Sequence, residues 1–357
     1  MQIIDDLFQI HLDKGTILTI GTFDGVHRGH QYLIGQLLQK ARRTDRLAGL
    51  ITFHPHPSAV LSPGNPTRYL TTPGDKVALL ERLGLDIVAI LPFNREMAQT
   101  SARHFIETVS RQLRMAELWV GKDFALGYGR EGTPDVLRVL GQEMGFSVET
   151  ITPVVWKGEI ISSTRIRSLL FRGQVREAAE LLGRYPSLAG EVVRGAQRGR
   201  CLGFPTANLE VRAERAIPAN GIYAVYAVLG EERYRGVANV GVRPSFDNGE
   251  RTVETYILDF EADIYGCDLV VEFVQRLRPE KRFTDIKKLI AQIERDIVEA
   301  RRILAAEKSP LWPEEVLRAE ASTPRASNEP QASASSAEPP NSSAEAPEDE
   351  TLPLAAS

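Results

Sequence analysis

The sequence lacks several features that would place it in a specialised class of proteins. It has two cysteines among 357 residues, Cys201 and Cys267, and they lie too far apart to form a zinc motif or a disulfide framework. No apolar run is long enough to cross a bilayer, and the first fifteen residues carry acids where a signal peptide would carry bases. With 43% apolar and 25% charged residues, the sequence predicts a soluble, cytoplasmic globular protein without a membrane partner.

Two further absences limit the chemistry of the second half. All six histidines fall within the first 104 residues, and no GxxxxGK[ST] P-loop occurs anywhere. An ATP-dependent enzyme in the second half would therefore need a different phosphate loop. A carboxylate is its expected general base.

The charge is unevenly distributed. The net charge is −4, but the segment from Ala319 to the end holds seven acidic residues and one arginine. The remainder is slightly positive, with its basic residues spread out, so anionic small molecules are expected ligands and nucleic acid is not. Residues 319–350 contain no aromatic residue and no Val, Ile, Leu or Met. Such a segment cannot bury enough apolar surface to fold, which predicts a disordered tail over 307–357.

The first half of the chain alternates between strand-like and helix-like segments. This pattern predicts an α/β domain over 1–183 with a doubly wound parallel sheet, whose ligands bind at the carboxyl ends of the strands. Thr133 and Pro134 are expected to begin one helix, and Gly145 to end it. The predicted strands are 16–23, 48–53, 85–93 and 117–121, and the other predicted helices are 30–43, 75–84 and 101–113.

The second half has a different pattern. Six short strand-like segments follow one another without helices between them, which predicts a small antiparallel β-barrel over 184–306. An amphipathic helix, capped by Thr284, is expected to close this domain. The predicted strands are 191–194, 206–211, 221–229, 234–240, 252–260 and 268–276.

The motif GTFDGVHRGH, residues 21–30, lies between the first predicted strand and helix. Its glycines permit tight turns and close approach of a phosphate to the backbone, and the helix N-terminus favours negative charge there. His27 and His30 are three residues apart and can face the same phosphate. A metal site that also uses His54 and His56 is the alternative explanation.

A second candidate phosphate loop is GRCLGFPTANLEV, residues 199–211. Gly199 and Gly203 allow a loop whose amides face phosphate, and Pro205 fixes the approach to the next residues. Thr206 and Asn208 offer the hard oxygen atoms that Mg²⁺ prefers. A capped turn without a metal is the alternative.

These motifs resemble two known families. GTFDGVHRGH is similar to the HxGH signature of the nucleotidylyltransferases, in the form found in bacterial FAD synthetases, and ISSTRIR (161–167) resembles their second signature. GRCLGFPTAN resembles the riboflavin kinase signature, and IPANGIYAV (217–225) and TVETYILDF (252–260) follow in that family's order. The resemblance extends over roughly residues 1–305.

The resemblance implies a bifunctional FAD synthetase. The second half would phosphorylate riboflavin to FMN with ATP, and the first half would adenylylate FMN to FAD, both with Mg²⁺. In the first site, Ser163 or Thr164 would cap a helix and Arg167 would pair with phosphate charge. The residues implied to bind ATP there are Gly21, Phe23, His27, His30, Ser163, Thr164 and Arg167, with the two histidines catalytic.

In the kinase half the resemblance makes Glu254 the base that accepts the proton of the ribityl 5′-hydroxyl. Gly199, Gly203, Pro205, Thr206 and Asn208 would bind ATP, with Thr206 and Asn208 as the Mg²⁺ ligands. The implied flavin-binding residues are Asp123, Arg278 and Phe283. From its position alone, Glu254 could equally be an exposed strand residue.

Three other functions stay open. One is a riboflavin kinase whose first domain is weakened by His54. The second is a flavin-binding or regulatory protein that has kept its pockets and lost turnover. The third is nucleotide transfer to a different acceptor, which the HxGH motif allows but the attached kinase leaves unexplained. Self-association also stays open.

Overall fold

The computed structural model describes residues 1–195, 199, 202–242 and 251–307. Cys201 and all of the predicted tail except Glu307 lie outside the described residues. Among the described residues, no helix is both long and apolar enough to cross a membrane.

The first half is built on a six-stranded sheet in which every pair of neighbours is parallel, in the order β1-β4-β3-β2-β5-β6. This confirms the predicted doubly wound sheet. The strands are β1 (Gln2–Ile4), β2 (Thr16–Ile20), β3 (Leu47–His54), β4 (Ile87–Pro92), β5 (Met115–Gly121) and β6 (Ser147–Ile151). The helices are α1 (Arg28–Arg43), α2 (Pro57–Leu61), α3 (Pro73–Leu83), α4 (Arg95–Gln99), α5 (Ala102–Gln112) and α6 (Pro134–Met144), with short 3₁₀ turns at Leu7–Gln9 and Tyr128–Arg130.

The helices pack on both faces of the sheet. On one face α1 and α3 bury Ile34, Leu37 and Leu80, and on the other α5 and α6 bury Ile106 and Leu140. Since both faces are covered, the central strands are apolar throughout, and all five residues of β2 are buried.

The chain order reverses at β2, which lies between β3 and β5. The connections on its two sides leave in opposite directions, so a crevice forms at the carboxyl ends of β2 and β5. The loop that follows β2, together with the first turn of α1, contains the GTFDGVHRGH motif. The sheet therefore places this motif where ligands bind in such folds.

The second half is a closed barrel of six antiparallel strands in the order β10-β13-β12-β11-β14-β9, as predicted. A β-hairpin and two helices precede it, and a long helix follows. The additional elements are β7 (Val155–Trp156), β8 (Glu159–Ile160), α7 (Ser163–Phe171) and α8 (Val175–Leu182). The barrel consists of β9 (Ser187–Val193), β10 (Ala207–Leu209), β11 (Gly221–Leu229), β12 (Glu232–Val242), β13 (Arg251–Ile257) and β14 (Asp268–Arg278), and α9 (Ile286–Ala306) closes it.

One hydrophobic cluster joins the two halves. It contains Ile166 and Leu170 of α7, Leu181 of α8, and the barrel residues Tyr223 and Phe273. Each of these residues is at most 2% exposed. The helices α7 and α8 therefore belong to the packing of the barrel as much as to the first domain.

Two predicted helix caps are wrong by one or two residues. The side chain of Ser162 accepts the amide proton of Arg165 and caps α7, where Ser163 or Thr164 was expected. Asp285 accepts the amide proton of Lys287 and caps α9 in place of Thr284. In both segments neighbouring residues could each serve as a cap, and the direction in which the chain enters the helix decides between them.

Gly190 of β9 provides a test of the packing between β9 and β10. A Cβ atom at this position would overlap the carbonyl oxygen of Glu210. We expect Gly190→Ala to lower the free energy of unfolding by about 1–3 kcal/mol, because the barrel backbone must shift to accept the methyl group. Gly64→Ala is the matched control, since nothing lies within 4 Å of a Cβ there. Urea denaturation gives both values, and equal stability of the two variants would contradict the close approach.

Candidate active sites

The loop between β2 and α1 has an unusual backbone. Phe23, Gly25 and Val26 all have positive φ values, of 45°, 82° and 38°. Two of these residues are not glycines, and such strained conformations persist only where the surroundings enforce them. Gly21 and Gly29 do not have positive φ values. Glycine is required at these two positions because a larger side chain would crowd its neighbours. A Cβ atom would lie 3.0 Å from the Phe23 ring at Gly21 and 3.2 Å from Nδ1 of His27 at Gly29.

The two motif histidines form a stacked pair at the start of α1. His27 is the N-cap of the helix, and its Nδ1 accepts the amide proton of His30 at 3.3 Å. The two rings are 3.6 Å apart between centroids and nearly parallel, and the buried ring of Phe23 packs against His30 at 4.8 Å. The structure thus brings together the two residues that the spacing predicted to share one face.

Burial keeps both imidazoles neutral. It lowers the pKa of His27 to about 3 and the pKa of His30 well below its ordinary value. Nδ1 of His27 accepts a hydrogen bond, so the proton of the neutral ring resides on Nε2. His27 therefore presents an uncharged N–H donor, and the positive charge of the site must come from other groups.

Asp24 links the two signature motifs. Its carboxylate, only 1% exposed, accepts the backbone N–H groups of Leu70 and Thr71 at 3.0–3.1 Å. It also receives Nη2 of Arg167 at 2.7 Å. The Ser163 hydroxyl donates to the carbonyl oxygen of Asp24 at 2.8 Å. These donors compensate the buried charge. They also hold the loop after β2 against the N-terminal part of α7.

Two residues of ISSTRIR, Ser163 and Arg167, are engaged in contacts within the protein. The guanidinium of Arg167 is bound to Asp24 and to the carbonyl oxygen of Arg68. Ser163 is bound to the same loop, and Thr164 is exposed on the first turn of α7. The N-terminus of α7 adjoins that of α1, since a Cβ at Gly29 would lie 3.7 Å from the carbonyl oxygen of Ile161. Two helix N-termini therefore converge on the loop.

Lys76 also lies beside this loop, and it was not among the predicted site residues. It lies on α3 and is 8% exposed. Its ammonium donates to the carbonyl oxygen of Thr22 at 2.7 Å and to the Thr52 hydroxyl at 3.1 Å. Burial lowers its pKa to about 8. A buried lysine beneath the loop supplies positive charge that the neutral histidines do not.

The barrel brings Glu254 and Asn208 together. They are directly paired across β10 and β13, and Asn239 is paired with Glu254 on the other side across β12 and β13. Directly opposite residues share a face of the sheet, so the three side chains form a row. Val253 and Thr255, the neighbours of Glu254, are buried, while Glu254 is half-buried on the outer face. The row combines one carboxylate with two amides.

The predicted second phosphate loop packs against the same face. The carbonyl oxygen of Gly199 accepts the amides of Leu202 and Phe204 at 3.0 and 2.9 Å, which closes the loop. The ring of Phe204 packs edge-on against Tyr256 of β13 at 5.7 Å. Gly203 has a φ of 89° and is exposed, as is Pro205. The loop thereby packs against Tyr256, which lies two positions after Glu254 on the same strand.

Thr206 and Asn208 line a cavity of about 490 Å³ beside this loop, a size typical of small-molecule sites. Sequence reasoning missed Gly195, where a Cβ atom would overlap the Asn208 amide group. It also missed the amide partner Asn239. Both contacts join strands that are distant in sequence, and no local pattern predicts them.

The three predicted flavin-binding residues lie apart. Asp123 is exposed in the turn after β5, in the first domain. Arg278 ends β14 and forms a paired contact with the buried carboxylate of Asp296 on α9, with Nη2–Oδ2 at 2.7 Å. The ring of Phe283 lies 5.9 Å from its guanidinium carbon. Arg278 and Phe283 thus form one cluster in the second half, whereas Asp123 lies in the first half.

The alternative metal site would use His27, His30, His54 and His56. His54 is exposed at the end of β3, and His56 caps α2 with its Nδ1. Within the described ranges, no group of three or more His, Cys, Asp or Glu side chains could hold a metal ion. The stacked His27 and His30 rings are engaged with the helix and with each other.

Known families match both halves of the chain. Residues 9–165 match the family described as FAD synthetase, and residues 182–304 match the family described as riboflavin kinase. The chain is 36% identical over 297 residues to the bifunctional riboflavin kinase/FMN adenylyltransferase of Escherichia coli K12, covering 83% of this chain and 95% of that protein. The Bacillus subtilis protein of the same name is 37% identical over 295 residues, covering 80% of this chain and 92% of the relative.

A solved structure is also similar. A crystal structure titled macrolide-efflux protein from Streptococcus pneumoniae superposes with a TM-score of 0.78 at 30% identity. The match covers 84% of this chain and 98% of that one. The similarity therefore extends over both the parallel sheet and the barrel.

The pairing of Asp24 with Arg167 can be tested through stability. We expect Asp24→Asn to lower the free energy of unfolding by about 3–5 kcal/mol, because it leaves a largely buried guanidinium without its carboxylate. Asp45→Asn is the matched control, since the Asp45 side chain is 86% exposed beside Lys14 and such pairs contribute about 0–1 kcal/mol. Chemical denaturation gives both values. Similar losses in the two variants would contradict the role of Asp24.

The neutrality of His27 predicts acid sensitivity. An unfolded histidine binds its proton near pH 6.5, whereas His27 in the folded protein does so only near pH 3. Between these values the unfolded state holds more protons, so the free energy of unfolding decreases as the pH falls. This group should contribute a loss of about 2 kcal/mol from pH 6.5 to 5.

His27→Asn should remove that contribution, because asparagine can still cap α1 but does not titrate. His11→Asn, at an exposed position, is the control and should keep the wild-type pH dependence. Urea denaturation at pH 5, 6 and 7 measures the slopes. An unchanged slope in His27→Asn would show that His27 is not neutral for the reason given.

Proposed function

Because the chain belongs to the family of bifunctional riboflavin kinase/FMN adenylyltransferases, we propose that it converts riboflavin to FMN in its barrel and FMN to FAD at its parallel sheet. The observation that carries this proposal is the presence of two separate phosphate loops. One follows β2 at the crevice of the sheet, and the other packs beside the Asn208–Glu254 pair of the barrel. ATP is the second substrate at both sites.

At the sheet, a phosphate oxygen of FMN attacks the α-phosphorus of ATP, and the bond to the pyrophosphate oxygen breaks. No protein nucleophile is needed, so the site acts by alignment and charge stabilisation. Nε2–H of His27 donates to a phosphate oxygen, and His30 binds beside it. The N-termini of α1 and α7 and the ammonium of Lys76 supply positive potential.

In the same site Gly21 and Phe23 shape the loop that approaches the nucleotide. Ser163 and Thr164 place hydroxyl groups at the start of α7. Arg167 acts mainly through Asp24, whose carboxylate holds the loop. Asp123, in the turn after the neighbouring strand β5, contacts the flavin of FMN.

In the barrel, the carboxylate of Glu254 accepts the proton of the ribityl 5′-hydroxyl of riboflavin. The resulting oxygen nucleophile attacks the γ-phosphorus of ATP, and ADP leaves. The loop of Gly199, Gly203 and Pro205 binds the ATP phosphates. Arg278 and Phe283 bind the isoalloxazine ring where α9 meets the barrel.

Thr206 and Asn208 fit Mg²⁺, because their oxygens are hard donors and line the same cavity. The ion would neutralise phosphate charge and make the leaving group more stable. The protein residues would position the ATP chain beside Glu254.

We assign the adenylyltransferase to residues 1–183 and the kinase to residues 184–306. Both reactions use soluble substrates, which suits the cytoplasm. A regulatory protein without turnover does not account for the Glu254–Asn208 pair and the histidine pair in one chain.

The two activities should separate by mutation. Glu254→Gln should reduce FMN formation from riboflavin at least about 100-fold, since it removes the general base. The same variant should still convert supplied FMN and ATP to FAD at the wild-type rate. Chromatography of a time course with each flavin substrate measures both steps.

The reciprocal control is His30→Ala, which should let FMN accumulate from riboflavin while FAD formation is lost. Glu272→Gln is a matched control for Glu254→Gln, since Glu272 lies on the barrel strand β14 and pairs with Arg233. Loss of both steps in Glu254→Gln with folding intact would refute the separate assignment of the two reactions.

A further inference from the structure

A cavity of about 210 Å³ lies between α3 and the barrel, at the junction of the two halves. Its lining includes the apolar residues Leu79 of α3 and Leu188 and Phe273 of the barrel. It is separate from the HxGH histidines and from the Thr206–Asn208 cavity, whose residues do not line it. Neither proposed reaction uses it.

The charges around this cavity are unbalanced. Its described lining contains three arginines, Arg82, Arg184 and Arg215, and one carboxylate, Asp75. Nη1 of Arg215 donates to Asp75 at 2.8 Å, so this carboxylate is already engaged. In the lining, Arg184 and Arg215 thus outnumber this carboxylate by about one positive charge.

Arg215 is almost completely buried. The residue is 6% exposed, and its Nη2 donates to the carbonyl oxygen of Ser187 at 2.8 Å. Its buried Nε has no hydrogen-bond partner among the described residues. Buried charged donors are costly unless they are paired.

Arg184 is held by neutral partners. Its guanidinium donates to the carbonyl oxygens of Gly25 at 2.7 Å and of Val26 and Leu182 at 3.4 Å. Burial lowers its pKa to about 10; the carboxylates of Asp75 and Asp24 oppose that effect, and the charges of Arg215 and Arg82 add to it. The arginines therefore repel one another across the cavity.

We propose that this cavity is a binding site for a small inorganic oxoanion, phosphate or pyrophosphate. Such an anion would offset the excess charge, offers several acceptor oxygens, and is small enough for the volume. Arginine groups bind phosphate oxygens with charge-assisted hydrogen bonds. Free phosphate and the pyrophosphate released by adenylyl transfer are the two sources of this chemistry.

The proposed anion site is linked to the first phosphate loop through Arg184. Arg184 contacts Gly25 in that loop, and Asp75 forms the capping box of α3 with Thr72. An anion between Arg184 and Arg215 would bind the barrel side and the sheet side of the junction at once. Occupancy would therefore stabilise the docking of the two halves.

The test is calorimetric titration of the full chain with phosphate, and separately with pyrophosphate, in the presence of saturating Mg-ATP and without flavin. ATP then fills both nucleotide sites, and no turnover occurs. We expect one anion per chain to bind under these conditions. Arg215→Gln should weaken the binding about tenfold or more, because a charge-assisted donor is lost.

Asp75→Asn should strengthen anion binding by about threefold or more, because it removes the carboxylate that competes with the anion for Arg215. Asparagine can keep the hydrogen bond from the Thr72 amide. Arg111→Gln, at an exposed position on α5, removes the same charge elsewhere and should leave the affinity unchanged. Circular dichroism checks the folding of each variant, and Arg82→Gln at the exposed rim replaces Arg215→Gln if that variant unfolds.

The site is refuted if ATP abolishes all anion binding, or if Arg215→Gln, or Arg82→Gln in its place, binds like Arg111→Gln. Binding of either anion that depends on the junction arginines supports the site. The anion with the lower Kd identifies the source. The anion with the lower Kd should also raise the melting temperature of the wild-type protein. Loss of this increase in Arg215→Gln, or in Arg82→Gln in its place, would show that the anion stabilises the docking of the two halves.

Discussion

The buried carboxylate of Asp24 is the constraint on which the first site depends. A charge at this depth requires several donors, and the chain supplies them from Leu70, Thr71 and Arg167. These donors come from segments up to 143 residues away. Satisfying one carboxylate therefore fixes the loop after β2, the approach to α3 and the start of α7 relative to one another. The geometry of the histidine pair follows from that arrangement.

Much of this fold was predictable from local patterns. The central strands are continuous apolar runs, the helices have clear boundary residues such as Thr133 and Gly145, and the barrel strands alternate between buried and less buried residues. The edge strands β1 and β6 and the hairpin of β7 and β8 were not predicted. Of these, β1, β7 and β8 have only two or three residues, which is too short for a recognisable periodicity. The caps at Ser162 and Asp285 were not predicted, because the choice between neighbouring cap residues depends on the direction in which the chain enters each helix.

The sites were predictable in residue type and less so in their contacts. The spacing of His27 and His30 and the order of the motifs identified the two loops. The partner of Arg167, the row of Asn208, Glu254 and Asn239, and the lysine beneath the first loop all arise from contacts between distant segments. A single sequence contains no signal for such pairings. A motif thus indicates which groups are present, while the fold decides which of them are engaged with one another.

The hydrophobic cluster at the junction has a consequence for how the chain can be divided. The two family matches leave out residues 166–181, which include most of α7 and α8. Those helices bury Ile166, Leu170 and Val175 in the same cluster as the barrel. A kinase fragment cut at residue 184 would expose this apolar face to water, whereas one that began before α7 would retain it. The segment that matches the kinase family and the segment that can fold on its own thus begin at different residues in this protein.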